Sequence, residues 1–398
     1  MSEVTTTNSW SDEQIKNVIE KSATPVVDKT SSKTYRSLMV IGCGDGGCNI
    51  ASEIRSKVPN IFCILYNTSQ RAINKLTADV QVIPTNEDGT GKNRKYSQDV
   101  FKNGAYKYLL ENVTNQLERK PVDYILVVTT CDGGTGGGVS PMVAKFIADN
   151  VDCPVIILGV YPCLNEDAAS MFNAMTWQQD VDKTGLPHIL LSNDTMTTDF
   201  KVTVHRQVNE YAVKVAELIA GTHFGETNIS AIDNKDMNIL LNHIGGRISL
   251  YGKEGRPTVN QSIDDYVTEM INEWKMLKPS NVRGIGLFVK STKDIIERAD
   301  TALNKFRATY GNAAVQYVHL EECDNTDPGY IALICSGCDS PMDAIMMMKN
   351  RYDDIQASIH KSSMSVNDVL GDMDSPLGTV RKEKPNKRTE LDLSALEF

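Results

Sequence analysis

The feature that most constrains this sequence is a glycine-rich segment, residues 130–138, which reads TCDGGTGGG. The apolar run Tyr124–Val128 precedes it and has the length of a strand, and Pro141–Ala148 follows it with a helical pattern. A strand, a glycine-rich loop and a helix in this order direct backbone N–H groups at a phosphate. Five glycines in six positions exceed what a tight turn needs, and Thr135 adds a hydroxyl donor. The segment therefore predicts a phosphate-binding loop.

Strands and helices alternate through the first half of the chain. The strands Ser37–Ile41 and Ile61–Tyr66 flank a second glycine-rich segment, residues 42–49, and the helix that follows it. This alternation predicts an α/β fold with a Rossmann-like parallel sheet. Ligands of such sheets bind at the carboxyl ends of the strands, where polar residues stand at 67–70, 162–166 and 193–194. We therefore expect these polar segments to meet at one edge.

Two common nucleotide motifs fit this sequence poorly. Gly42, Gly44 and Gly47 match G-x-G-x-x-G, but that motif expects an acidic residue about 20 positions later, and Asn67 stands there instead. The Walker A motif is excluded because Lys92 is followed by asparagine and not by serine or threonine. A NAD-binding oxidoreductase remains the alternative from another class, and nucleotide-binding assays would separate the two.

Composition limits the class of protein. The 398 residues suffice for two domains. A net charge of −10 argues against a basic protein surface that binds nucleic acid. No apolar run reaches membrane-spanning length, so we expect no membrane insertion. Nine irregularly spaced cysteines indicate a reducing cytoplasm. Cys335 and Cys338 form a lone C-x-x-C without a second pair, which favours buried cysteines and predicts no metal site.

The order of segments predicts five regions. The core regions are a nucleotide-binding domain, a long central helix and a smaller α+β C-terminal domain that ends in an amphipathic helix. A stripe on that helix, including Met348 and Tyr352, is expected to pack on the C-terminal domain. The predicted bounds are 1–34 for a flexible N-terminal arm, 35–205 for the nucleotide-binding domain, 206–228 for the central helix, 229–362 for the C-terminal domain and 363–398 for a disordered tail.

Taken together, these segments resemble the tubulin/FtsZ superfamily of self-assembling GTPases over roughly residues 36–362. The GGGTG[ST]G signature of the family stands here at residues 132–138, with Asp132 in place of the first glycine and Gly137 in place of Ser/Thr. Several loops match in order, which is far more specific than one glycine motif. The resemblance implies the family fold and an activity as a GTPase coupled to polymerisation.

The resemblance also implies a site for GTP or GDP with Mg²⁺. Ser170 stands where bacterial division members usually carry arginine. The loops that match are residues 42–49, 67–68 and 89–93, called here the first, second and third loops. The nucleotide contacts carried over are Gly42, Gly44, Asp45, Gly46, Gly47 and Asn49 in the first loop, Asn67 and Thr68 in the second, Gly91 and Asn93 in the third, Asp132, Gly133, Gly134, Thr135, Gly136 and Gly137 in the signature, Pro162 and Glu166 at the ribose, and Asn193 and Asn209 at the guanine.

Residues 233–237 resemble the synergy loop of the family, in which acidic residues enter the nucleotide site of the next subunit. The resemblance implies that Asp233 and Asp236 are catalytic in a head-to-tail filament, although Ala231 replaces the usual asparagine. The alternative that Asp233 only caps a helix stays open. A helix of about 15 residues spans about 22 Å, so one chain is not expected to supply both halves of the site.

The final helix and the basic tail are most like the plasmid- and phage-borne tubulins of the TubZ and PhuZ type. This branch implies a cytoskeletal filament that positions or segregates plasmid or phage DNA in the cytoplasm of a bacterium. Basic tail residues, among them Arg381 and Lys384, would hold a DNA-bound adaptor. The alternative within the superfamily is a divergent FtsZ-like cell-division protein, whose tail would bind a membrane anchor.

Overall fold

The structure is a computed structural model. It describes residues 35–85, 88–195, 201–225, 227, 229–258, 260–274, 276–299, 306, 308, 311 and 313–362. The predicted arm and tail lie outside the described residues, as does most of the segment 295–310, whose sequence pattern predicts a helix. The chain divides into two compact units, residues 1–353 and 354–398, and the described part of the second unit is the end of the last helix.

The first half of the chain alternates strands and helices as predicted. Its elements are β1 (Leu38–Cys43), α1 (Gly44–Lys57), β2 (Ile61–Tyr66), α2 (Gln70–Ile73), β3 (Val80–Val82), α3 (Arg94–Val100), a π-helical turn (Phe101–Ala105), α4 (Tyr106–Arg119), β4 (Tyr124–Thr130), α5 (Thr135–Asn150), β5 (Val155–Tyr161), α6 (Ala168–Thr184), β6 (His188–Ser192) and a 3₁₀ turn (Asn193–Thr195).

The second half begins with the central helix and adds four strands. Its described elements are α7 (Lys201–Ala220), α8 (Asn234–Asn238), a second π-helical turn (Ile239–His243), β7 (Arg247–Glu254), α9 (Ile263–Glu273), β8 (Gly284–Ser291), α10 (Lys293–Ile296), β9 (Val315–Glu322), β10 (Tyr330–Cys338) and α11 (Met342–Ser362). None of the helices in the described ranges combines the length and the apolar character needed to cross a lipid bilayer.

The ten strands form one continuous sheet in the order β3-β2-β1-β4-β5-β6-β7-β10-β8-β9. The strands from β3 to β7 are parallel, β10 is antiparallel to both β7 and β8, and β9 is parallel to β8. The predicted α/β class with a Rossmann-like parallel sheet is confirmed. Because β7 pairs with β6, the sheet continues past the predicted end of the nucleotide-binding domain, and the domain boundaries stay a prediction.

Side chains of the central strands are buried on both faces of the sheet. In β1, Leu38 and Val40 belong to one apolar cluster, whereas Met39 and Ile41 belong to a second cluster. Successive side chains of a strand point to opposite faces, so the sheet separates the two clusters. A strand that is covered on both sides reads as a continuous apolar run, which is why these strands are readable in the sequence.

Two helices differ from the sequence-based expectation. The central helix was predicted at 206–228, whereas α7 begins at Lys201 and ends at Ala220. The next residue, Gly221, has a φ of +74°, which glycine tolerates best and which ends the helix. On α11, Met348 and Tyr352 belong to the cluster of Met39, which also holds side chains of α6, and not to the cluster that contains most of the C-terminal domain. The rings of Tyr352 and Phe172 are 6.2 Å apart.

Six of the nine cysteines are buried and three are half-buried. None of the nine forms a disulfide in the described part of the chain, and Cys335 and Cys338 are both buried in β10, as predicted. Burial raises the pKa of each of these two thiols, which keeps them protonated. Among the described residues, no group of three or more His, Cys, Asp or Glu side chains is placed to hold a metal ion.

Candidate functional site

Two helix N-termini meet at the carboxyl edge of the sheet. α1 starts directly after β1, and α5 starts five residues after the end of the neighbouring strand β4. Gly44 has a φ of +71°, and a Cβ atom on it would lie 2.5 Å from the backbone N of Gly136. The first N–H groups of both helices lack partners within their helices and carry partial positive charge. This edge is therefore suited to an anion with several negative charges.

Hydroxyl and amide side chains from several predicted loops converge beside these helix N-termini. The Oγ1 atoms of Thr68 and Thr135 are 2.7 Å apart, and Thr135 Oγ1 lies 3.5 Å from Thr90 Oγ1. The Asn67 amide donates to Asp45 Oδ1 at 2.7 Å. The structure thus brings residues of the first, second and third loops together with the glycine signature, as the parallel sheet predicts.

The third loop is held by a lysine and an asparagine that sequence analysis did not select. Lys92, with a φ of +65°, places its Nζ 2.7 Å from Asp167 Oδ2 and 2.6 Å from Ser170 Oγ. The Asn173 amide donates to the backbone oxygens of both Lys92 and Asp132. A cation therefore lies beside Ser170, at the position where the resemblance implied arginine.

Most glycines of the site bring protein segments together and do not line open space. Gly42 lies in β1, whereas Gly46, Gly47 and Asn49 lie within α1, so the predicted first loop is a strand–helix junction. Gly137 and Gly138 likewise belong to α5. A side chain at Gly137 would collide with the backbone oxygen of Cys131, which leaves no room for the Ser/Thr of the signature. The glycine-rich loops are thus shorter than the sequence pattern indicated, and the contacts of these glycines with a nucleotide stay a prediction.

We expect Gly136→Ala to lower the free energy of unfolding by about 2–3 kcal/mol, because its Cβ would collide with the backbone oxygen of Cys43. The matched control is Gly133→Ala, where the nearest atom to the new Cβ would be Thr130 Oγ1 at 3.8 Å. Its effect should stay within about 0.5 kcal/mol. Denaturant unfolding of both variants measures the difference, and equal losses would show that this packing is unimportant.

The other signature residues have distinct environments. Asp132 is half-buried after β4, and burial raises the pKa of its carboxyl while the nearby Lys92 charge opposes that rise. Asn93 caps α3, since its Oδ1 accepts from the Tyr96 N–H at 3.1 Å. Gly91 has a φ of +57° and open space around it. Gly134 packs against Thr90 and Asn93, so it fixes the third loop on the signature.

An asparagine after β6 is buried with unused hydrogen-bonding capacity. Asn193 is 8% exposed, and its Oδ1 has no partner among the described residues. The neighbouring Asp194 accepts from the Leu164 N–H at 3.1 Å and thereby holds the loop of Pro162 and Glu166 close to β6. Asn209 is half-buried in the third turn of α7, and the described contacts do not connect it to Asn193.

The two acidic residues of the predicted catalytic loop form a capping box at the start of α8. Asp233 Oδ1 accepts from the N–H groups of Lys235 and Asp236, at 2.7 and 2.9 Å. Asp236 Oδ2 accepts in turn from the Asp233 N–H at 3.2 Å. Asp233 is exposed and Asp236 is half-buried, and burial raises the pKa of Asp236. Asp233 therefore does cap α8, as the open alternative held, and it does so through Oδ1. Its Oδ2 makes no capping contact among the described residues.

The acidic loop lies near the amino-terminal end of β1, whereas the glycine signature lies at the carboxyl ends of the parallel strands. Arg36, just before β1, donates from Nε to Asn234 Oδ1 at 3.0 Å and from its backbone N–H to Ala220 O at 2.9 Å. The six residues of β1 separate this end from Gly44. At about 3.3 Å per residue, the separation is about 20 Å. A single chain therefore holds its acidic loop far from its own helix N-termini.

Comparisons with known proteins agree with this geometry. Residues 37–200 match the family described as "Tubulin/FtsZ family, GTPase domain". Tubulin-like protein CetZ2 of Haloferax volcanii is 27% identical over 171 residues, which span 39% of this chain and 45% of that relative.

Two solved structures share the fold. The GTPγS-form protofilament of TubZ from Bacillus thuringiensis serovar israelensis superposes with a TM-score of 0.69 at 16% identity, over 83% of this chain and 94% of that chain. The GTPγS-bound protofilament of CetZ2 from Haloferax volcanii has a TM-score of 0.65 at 18% identity, over 82% of this chain and all of that chain. The TubZ and CetZ folds thus both resemble this chain, with TM-scores of 0.69 and 0.65, and the branch stays a proposal. Over residues 37–200, the chain carries a GTPase domain of the tubulin/FtsZ family.

Proposed function

We propose that this chain binds GTP at the carboxyl edge of its sheet and hydrolyses it between subunits of a head-to-tail filament. The observation that carries the proposal is the separation of about 20 Å between the helix N-termini and the acidic pair Asp233 and Asp236. A carboxylate must lie within about 3 Å of the water that it activates. In a head-to-tail stack, the acidic loop of a second subunit faces the carboxyl ends of the strands of the first. It supplies the carboxylate that a single chain cannot bring to its own nucleotide.

The base contact is proposed for Asn193. An unpaired buried acceptor costs about 1–3 kcal/mol, and a ligand that donates to it removes that cost. Guanine presents two N–H donors beside a carbonyl acceptor, and an asparagine amide matches this edge with one acceptor and two donors. Adenine presents a ring nitrogen acceptor where guanine has its N1–H. The orphaned Asn193 oxygen therefore favours GTP over ATP.

The phosphates are proposed to lie between the N-termini of α1 and α5, with Thr135 as a side-chain donor. Fixed N–H dipoles aimed at the phosphates stabilise negative charge as it develops during transfer. Mg²⁺ that is held mainly by phosphates and water needs one or two protein oxygens. The hydroxyl cluster of Thr68, Thr90 and Thr135 fits that demand, and no cluster of metal-binding side chains is found in the described ranges. The ion would neutralise phosphate charge.

Hydrolysis is proposed to depend on Asp236 of the adjacent subunit, which accepts the proton of the attacking water. A general base works best when its pKa lies near the working pH, and burial moves the pKa of Asp236 in that direction. Asp233 fixes the first turn of α8 and orients its neighbour. The similar structures named above are described as protofilaments with GTPγS, which supports a filament.

For the cellular role we propose segregation or positioning of plasmid or phage DNA in the cytoplasm. The basic residues of the tail support a link to DNA or to a DNA-bound adaptor, since clustered lysine and arginine side chains attract phosphates. The nine cysteines form no disulfide in the described ranges, which supports a reducing compartment. A divergent cell-division protein remains the second candidate, because its fold is the same.

We expect the chain truncated after residue 375 to assemble with GTP as the full chain does. The residues proposed for binding and hydrolysis all lie before position 237. Electron microscopy and sedimentation with GTP, with GDP and without nucleotide measure assembly. The full-length filaments should carry DNA into the pellet at low salt, whereas truncated filaments should not. No filaments of the full chain with GTP would contradict the proposed function, and equal DNA recovery would contradict the role of the tail.

A further inference from the structure

The acidic pair stands on a helix that is too short to fix its own position. α8 has five residues, and an isolated helix of that length is not stable in water. Its capping box joins Asp233 to Asp236 within the same turn, so the box does not fix that turn against the rest of the chain. Met237 and Leu240 are buried and anchor the segment that follows, whereas Asp233 and Asn234 are exposed. The orientation of the first turn therefore depends on contacts from other elements.

Arg36, two residues before β1, makes such a contact. Its Nε donates to Asn234 Oδ1 at 3.0 Å, and Asn234 is the first residue of α8, next to the cap Asp233. Its backbone N–H donates to the oxygen of Ala220, the last residue of α7, at 2.9 Å. One residue thus joins the start of β1, the end of the central helix and the first turn of α8.

The glycine that follows the central helix leaves the space for the Arg36 side chain. A Cβ atom on Gly221 would lie 2.8 Å from Arg36 Nη1. Burial lowers the pKa of Arg36, and the interactions with Tyr124, Asp123 and Asp233 oppose that fall. Because a guanidinium stays charged in proteins, a cation stands beside the first turn of α8.

We propose that Arg36 is a positioning residue for hydrolysis, which holds the first turn of α8, and with it the Asp236 carboxylate, in the orientation that the nucleotide of the adjacent subunit requires. This inference rests on the proposed function. The bond to Asn234 carries the effect, because it links the base of the sheet to the turn that bears both carboxylates. Arg36 does not reach the nucleotide of its own chain, since the six residues of β1 separate it from Gly44.

Two substitutions of Arg36 separate the hydrogen bond from the charge. In Arg36→Gln, the amide nitrogen is bonded to Cδ as Nε is in arginine, so a neutral donor stays at the same position. In Arg36→Met, a methyl group takes that position and no donor remains. Both variants lack the positive charge, so the donor is what distinguishes them. The measurements are GTP turnover per assembled subunit of the full chain, GTP affinity and the concentration at which filaments first sediment.

We expect Arg36→Met to lower turnover per assembled subunit about tenfold, which is the effect of one lost hydrogen bond from a charged donor. Arg36→Gln should stay within about threefold of the wild type, because a neutral donor is weaker than a charged one but keeps the contact. GTP affinity and the sedimentation threshold should not change in either variant. Equal turnover of Arg36→Gln and Arg36→Met, whether at the wild-type rate or below it, would overturn the inference.

The acceptor of the same bond gives a second test, which does not depend on the folding of the Arg36 variants. Asn234→Ala removes the acceptor at an exposed position, leaves both partners of the capping box in place and should lower turnover as Arg36→Met does. The double variant should be no slower than either single variant, because the same bond is lost only once. Asn115→Ala, at an exposed position of α4, is the matched control and should keep the wild-type turnover.

The outcomes separate the inference from the function on which it rests. If the wild type shows assembly-dependent turnover and Asn234→Ala keeps the wild-type rate, the positioning role is refuted and the function stands. If the losses multiply to about 100-fold in the double variant, Arg36 and Asn234 act by separate routes and the inference is also refuted. A loss of GTP affinity or of assembly in place of turnover has the same consequence. If the wild type shows no assembly-dependent turnover, the inference falls together with the proposed function.

Discussion

Asp236→Asn should abolish GTP turnover, by at least about 100-fold, while GTP affinity and assembly are retained. General-base catalysis contributes factors of about 10² to 10⁴, and an amide cannot accept the proton of the attacking water. The side-chain oxygen of asparagine can still accept from the Asp233 N–H, so the start of α8 should survive. Phosphate release, GTP titration and sedimentation measure the three properties. Asp99→Asn, at an exposed position of α3, is the matched control.

Mixtures of this variant with the wild type give a sharper version of the same prediction. If Asp236 acts on the nucleotide of the neighbouring subunit, each variant subunit inactivates a site that belongs to another chain. Turnover per wild-type subunit should therefore fall as the variant fraction rises at constant total concentration. Simple additivity of the two rates would contradict catalysis between subunits, even if the variant alone is inactive.

Asn193→Ala should weaken GTP binding by about tenfold to 100-fold and remove most of the preference for GTP over ATP. The amide is buried, and a base that loses buried hydrogen bonds loses about 1–3 kcal/mol. The wild type should bind GTP at least about 100-fold more tightly than ATP. Titration with GTP, ATP and NAD measures both statements.

Asn112→Ala provides the control for that experiment, because Asn112 lies on α4 outside the proposed site and its amide donates to the backbone oxygen of Tyr108. It should bind GTP as the wild type does. Equal affinity of the wild type for GTP and ATP, or binding of NAD in place of both, would overturn the assignment of the nucleotide. A selective wild type whose selectivity survives Asn193→Ala would move the base contact to another residue.

Local sequence pattern was enough to predict the edge of the sheet at which the site forms. The parallel strands read as continuous apolar runs because both faces of the sheet are buried, and Thr68 and Thr135 lie two and five residues after the ends of β2 and β4. Parallel pairing then places their hydroxyls in contact. The order of the loops made the family recognisable, and the family match over residues 37–200 supports that interpretation.

Tertiary packing determined what the sequence could not indicate. Lys92 and Asn173 have no motif around them, and their roles depend on neighbours from distant segments. The glycines look alike in sequence, yet only the contacts distinguish Gly133, which has space, from Gly136, which packs on β1. The stripe on α11 indicated a buried face but not which surface covers it, so the predicted packing on the C-terminal domain was wrong.

The central claim is that an active site forms only where two subunits meet. Its most direct test is the rate of GTP hydrolysis against total concentration of the full-length wild type, measured from far below to well above the concentration at which filaments first sediment. We predict negligible turnover per subunit below that concentration and a steep rise above it, to a constant value per assembled subunit. A rate strictly proportional to concentration over the whole range would show that one chain contains a complete active site, and it would contradict the account.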